Sequence, residues 1–438
     1  MARGSRSAAY GIVALAALAA AVCLAQGGDT KVRQIQFVKG FDYGSRDFPA
    51  ISIHPAARPA AVPAATPDPH ASYYQAFANG ELNSRIGARL PAGEWVVEWS
   101  APLDPQLTPA FVLEDGDRIV VRSAMWALFD RAGASLGSGQ AAGPPVVLDA
   151  AQNLFYSILP SGYFSAAHLS DGKPAYMFLP SFGDIFSRVF VARRGSRILV
   201  VGEERALDPH GERQPWRSLV EINDVGDPVR TSAGGRVTGS QPVGSLEIPS
   251  PHVVAASAGD NIVAAAPGEI YVTDWNLEGR AVLEGTFDPR AMSLDEAGRI
   301  YLIVDHGDKT SLWLLTQAGE RVYSYEFPPG SPAGLRPPMV GYDHTVYAIA
   351  GRFLYAIGPD GKLNWSREAK ARLSGAVVTG DDQLLTSEGS QVVAWNQAGE
   401  RRVVHSFDEE LATPPVLTAD GHLLVASRRA LYSLGRAR

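Results

Sequence analysis

From residue 93 to the C-terminus, short apolar runs with period-two alternation are separated by clusters of Gly, Asp and Asn, and the only long helical candidates lie near the start of the chain. One pattern recurs: an apolar strand, a Gly/Asp/Asn turn, a second apolar strand, a third carrying Leu-Tyr or Trp, and a turn ending in Gly. Its clearest copy is PPMVGYDHTVYAIAGRFLYAIGPDGKLNW, from Pro337 to Trp365. Aligning the third strand and its turn puts Gly133, Gly172, Gly226, Gly279, Gly319, Gly361 and Gly399 in one column, and a final copy, LYSLGRAR, ends the chain at Arg438. The steps are about 40 residues, with two of about 54 on either side of Gly226.

A repeat of this length with four short strands predicts blades of a β-propeller, because one such unit cannot cover its own two apolar faces until neighbours stack on it. Three residues before the turn glycine the column reads Asp130, Leu169, Asn223, Asn276, Thr316, Gly358, Asn396 and Gly435. Asp, Asn and Gly tolerate tight-turn backbone and bond back to nearby amides, so this column is read as turn chemistry and not as a ring of ligands. The last copy lacks a fourth strand, whereas Ala92-Gly93-Glu94 followed by WVVEWSAPL reads as a turn and fourth strand without the first three. The expected fold is therefore all-β: an eight-bladed propeller of four-stranded antiparallel blades over 93–438, closed by the strand near residue 93. Seven blades is the alternative, since the stretch from Phe186 to Gly226 is the least regular copy.

The N-terminus has a different character. Arg3 and Arg6 precede an unbroken apolar stretch from Ile12 to Ala25, the pattern of an export signal over 1–25. Cleavage after Ala25 is the leading reading, with lipidation at Cys23 or an uncleaved anchor as alternatives. Cys23 is the sole cysteine, so cleavage leaves no thiol for a disulfide, a thiolate metal site or a nucleophile. Residues 26–92 read as an extension: Gln34 to Tyr43 alternates like a strand that docks on a partner or on the propeller, and Ile51 to His70 is a Pro/Ala-rich tether. A net charge of −7 without Lys/Arg runs argues against nucleic acid.

The segment Ala356 to Trp365 (AIGPDGKLNW), with Ala356, Gly361, Lys362 and Trp365 in register, resembles the tryptophan-docking repeat of the PQQ-like, or quinoprotein-like, propellers. In that family the Trp packs between adjacent blades. Trp365 alone holds the position here, with Tyr176 and Tyr323 as aromatic substitutes and Gly137, Arg230, Leu283 and Val403 in the other copies. The resemblance implies one of two functions: a quinoprotein dehydrogenase, whose site needs a vicinal Cys pair, calcium ligands and an Asp base, or a cofactor-free, exported propeller that binds protein partners, as in outer-membrane barrel assembly. The absence of a Cys pair favours the second.

No residue group reads as a catalytic or metal site. The nine His include no HExxH pair. His306, within Asp305-His306-Gly307-Asp308-Lys309, and the pairs Glu203-Glu204, Asp115/Asp117 and Asp381-Asp382 fall at expected turns. The two long steps place extra residues at Glu203 to Trp216 and Thr231 to Ser250, and lengthened loops on a rigid scaffold are where binding concentrates. Arg205, His210, Arg213 and Trp216 form the candidate partner-binding loop. The expectation is a monomeric, non-catalytic periplasmic or secreted scaffold without cofactor, binding protein partners in the cell envelope, with a possible tether to the membrane through the N-terminus. A propeller enzyme acting on a small molecule or polysaccharide, and a carbohydrate-binding module, are the alternatives.

Overall fold

The computed structural model describes residues 31–36, 45–56, 65–66, 84–115, 117–122, 125–140, 147–149, 153–158, 164–178, 190–194, 197–204, 217–224, 229–230, 236–237, 241–248, 253–334 and 336–437. Among them every regular element is a β-strand. The strands fall into successive four-stranded antiparallel units, each running from an inner first strand to an outer fourth. In chain order these are unit I (111–140), II (147–178), III (190–248), IV (254–284), V (288–326), VI (339–368), VII (373–406) and VIII, in which 416–436 supplies the first three strands. The fourth strand of unit VIII is Trp95–Pro102, antiparallel to Ala430–Arg436, with Ser433 opposite Trp99 and Leu434 opposite Val97 across a bulge. Ala437 N–H also donates to Glu94 O at 3.0 Å.

Apolar faces are buried between units, as expected for stacked blades. Trp126 of unit I meets Phe155 of unit II edge-on at 4.9 Å. Leu199 and Ile248 of unit III share a core with Ile262 and Tyr271 of unit IV. Further cores join Val272 to Leu302, Tyr301 to Val346, and Leu354 to Trp395. A single cluster holds Val392 of unit VII, Val416 and Leu431 of unit VIII, and Val112 of unit I.

The docking contact recurs with different side chains. Trp365, on the outer strand of unit VI, lies against the turn glycine of unit VII, where a Cβ at Gly399 would stand 2.8 Å from the indole. Its Nε1 donates to Gln397 O at 3.0 Å and it stacks on Trp395 at 6.3 Å and 21°. Tyr323 covers Gly361 in the same way, and Trp99 covers Gly133. Trp99 escapes the sequence alignment because the shared unit has no turn joining its third and fourth strands, so an offset counted from Gly93 lands on Val97. At Gly172 the slot is filled from the third strand of unit I by Trp126, since the outer-strand position is Gly137.

Two expectations about the repeat need correction. In unit IV the turn closes on Leu277 (φ 55°), not on Gly279. Asp274 Oδ1 accepts Asn276 N–H and Glu278 N–H at 2.8 and 2.9 Å, so Asp274 and not Asn276 is the turn-bonding residue. It is the partner of Asp130 and Asn396, which accept the equivalent amides in units I and VII. Arg230, assigned to the docking position of unit III, instead lies in a separate hairpin of Val229–Arg230 and Arg236–Val237. The outer strand there is Gln241–Ile248.

Residues before 93 also pack on the propeller, where a tether from Ile51 was expected. Lys31–Gln36 pairs with Ser45–Ser52, whose Ala50–Ser52 extends unit IV in parallel beside Val282–Glu284. His54 and Pro55 continue along the outer strand of unit V beside Glu320 and Arg321. The physical reason is a slot: Leu283 reaches Gly319 less closely than a docked aromatic does, and Ile51 Cγ2 takes the space, 3.0 Å from where a Cβ on Gly319 would be.

Candidate functional site

Strands one and two, and three and four, are joined at one end of the units. The second-to-third turns and the crossings between units lie at the opposite end, where propellers carry their variable loops. At that end a cleft of about 810 Å³ opens between units VI, VII, VIII and I. Its walls are the crossing 103–110, the crossing 407–415, Arg336 and Arg372 from two further crossings, and the turn that carries Arg428 and Arg429.

These loops are fixed by their backbones. Leu103 N–H donates to Arg429 O at 2.8 Å, Leu411 N–H to Gly389 O at 2.8 Å and Ala412 N–H to Ala426 O at 2.8 Å. Ser374 Oγ donates to Leu411 O at 2.6 Å, and Thr413 Oγ1 accepts Ala426 N–H at 2.9 Å. The cleft is therefore preformed, with arginines on the crossings and turn and Asp408, Glu409 and Glu410 on the 407–415 crossing. Tyr432 OH donates to Glu409 Oε1 and holds that carboxylate in place.

A smaller cavity of about 220 Å³ lies at the other end of the seam between units VIII and I. Glu114, 2% exposed, is paired with Arg131 Nη2 at 2.7 Å. Burial outweighs the pull of Arg131 and raises the Glu114 carboxyl to about 7. Arg131 also reaches Asp420, and His422 stands 3.0 Å from Glu98 and 3.2 Å from Asp420.

At the same end, residues 84–90 enter the inner side of the ring. Ile86 N–H donates to Val378 O and Val378 N–H to Ser84 O, both at 2.8 Å, so this segment caps the inner strand of unit VII. Arg85 donates from Nε to Val340 O at 2.7 Å and from Nη1 to Glu296 Oε2 at 2.6 Å, with its guanidinium over the Tyr342 ring. The Arg85 side chain thus ties units V and VI together, while the backbone on either side of it pairs with unit VII.

The loop proposed from sequence, with Arg205, His210, Arg213 and Trp216, lies outside the described residues. Its flanking strands, Arg197–Glu204 and Arg217–Asp224, are the second and third of unit III. Of the motif residues, Ala356 and Trp365 are buried partners across two strands, Gly361 takes the left-handed turn at φ 77°, and Lys362 is exposed and paired with Asp360 at 2.9 Å. His306 closes the short turn as expected, its Nε2 2.8 Å from Ser311 Oγ. The cleft arginines were missed because each, alone, reads as an ordinary surface residue of a loop.

Among the described residues no three His, Cys, Asp or Glu side chains are grouped to hold a metal ion. With a single cysteine in the whole chain, the residues do not fit a quinone site built on a vicinal Cys pair and calcium.

No family model matches the sequence, and no curated protein matches it. Solved structures do match in fold. BamB from Moraxella catarrhalis aligns with a TM-score of 0.53 and 12% identity over 78% of this chain and 99% of that one. The Dos1 propeller aligns at 0.54 and 8% identity over 80% and 96%. A europium-containing methanol dehydrogenase aligns at 0.55 and 10% identity over 82% and 89%. At these identities the likeness concerns the fold alone: the chain folds as a β-propeller.

Proposed function

We propose that this chain is a non-catalytic, exported propeller of eight blades, closed by Trp95–Pro102, that binds protein partners of the cell envelope. The observation that carries the reading is the preformed cleft of about 810 Å³, walled by charged side chains on loops that the backbone holds rigid. Rigid loops lower the ordering cost of binding a partner, and a wide mouth of both charge signs suits a peptide surface. The fold likeness to BamB, the apolar N-terminal stretch and the poor fit to a quinone site support the same choice.

The test is affinity capture from envelope extracts with the mature chain and with a Thr108→Trp variant that crowds the cleft wall. A partner enriched by the parent and lost from the variant is the expected result. Capture indistinguishable between the two, or oxidation of an alcohol with an artificial acceptor once PQQ and calcium are added, overturns the reading.

A further inference from the structure

Arginine pairing across the molecule is uneven. In unit VI the second-to-third turn carries Arg352, which pairs with Glu368 on its own outer strand. Arg401, Arg290 and Arg131 likewise face carboxylates. The corresponding turn of unit VIII carries Arg428 and Arg429, both exposed, and Arg372 stands exposed on another wall of the same cleft. None of these three side chains has a hydrogen bond or ion pair among the described residues. The carboxylates of Asp408, Glu409 and Glu410 line the cleft too, yet form no ion pair with them.

On a chain of net charge −7, like-charged guanidinium groups gathered without partners in a concavity raise the local potential and focus it outward. Guanidinium forks match carboxylates in pairs. The acidic wall sets a second condition, because it repels a ligand that is anionic along its whole length. We infer that the cleft recognises an acidic peptide segment followed by basic residues, its carboxylates on Arg372, Arg428 and Arg429 and its amines toward Asp408 and Glu410. This inference rests on the protein-binding reading and adds the chemistry of the partner.

The probe is a fluorescein-labelled peptide, Gly-Glu-Glu-Leu-Glu-Gly-Lys-Lys, titrated by anisotropy into the mature full chain. Its controls are the analogue with Gln for every Glu and labelled inorganic polyphosphate. Expected results are binding of the acidic peptide that weakens with salt, and a loss of about tenfold or more in the Arg428→Glu/Arg429→Glu variant. The thermal transition of that variant should be unchanged, since both side chains are exposed. Asp408→Lys/Glu410→Lys should weaken the peptide and strengthen polyphosphate.

Absence of binding by the parent chain, equal affinity for the Gln analogue, tighter binding of polyphosphate, or indifference to the arginine reversal overturns the inference. Envelope capture separates the two levels. A specific partner retained by Arg428→Glu/Arg429→Glu but lost by Thr108→Trp upholds the scaffold and removes the charge rule. Peptide binding with no partner captured upholds the charge rule and removes the scaffold.

Discussion

Ile51 stands over Gly319 as Trp365 stands over Gly399: in both places a side chain from a strand at the outer edge covers the left-handed turn glycine of the following unit. In the first case the side chain comes from a strand far upstream of the repeat, added in parallel beside Val282–Glu284. The N-terminal strand thus completes a packing site that Leu283 leaves short, and this explains why it docks where it does.

Truncating these two residues should separate their weights. Trp365→Ala removes a buried indole with its hydrogen bond and is expected to cost about 3–5 kcal/mol. Ile51→Ala removes a partly buried side chain and should cost about 1–2 kcal/mol. Denaturant midpoints at constant slope measure both.

The turn glycines are held by two separable constraints. Gly399 has φ 73° and an indole 2.8 Å from the Cβ position, whereas Gly259 has φ 53° and nothing within 4 Å. Gly259→Ala should cost about 1 kcal/mol from backbone strain alone, and Gly399→Ala clearly more, since the indole must shift. Thermal unfolding of the two variants in parallel makes the comparison.

The pairing of Trp95–Pro102 with Ala430–Arg436 gives a sharp expectation. Removing 95–102 exposes the edge of Ala430–Arg436 and uncovers Gly133, which Trp99 packs against. The variant should lose most of its cooperative thermal transition and tend to associate through the freed edge. A transition unchanged from the parent would mean that the propeller does not depend on this strand.

Stability should also fall as the pH rises from 4.5 to about 7, through Glu114. Its carboxyl is raised by burial from 4.5 to about 7, so the folded state favours the protonated form. The resulting stabilisation is present below pH 4.5, declines as the pH rises, and is lost above about 7. Glu114→Gln should flatten that decline. Urea midpoints from about pH 4 to about 8 would show whether the two curves converge at the low end and part above neutrality, as required.

The sequence by itself determined the strand content, the repeat and most of its turns, because alternation and glycine spacing are local properties that survive divergence. It also exposed the two incomplete ends of the repeat, since a missing outer strand and an unattached one are both visible in the pattern. Tertiary structure alone decided which side chains fill the slots. Trp99, Trp126 and Ile51 reach their glycines across strand pairings whose bulges and parallel additions break any fixed offset, and Leu277 takes the turn position that the repeat alignment assigned to Gly279. The cleft was equally hidden. Arg372, Arg428 and Arg429 come from separate turns and crossings, and a shared electrostatic field arises only when the stacking of units brings them to one mouth.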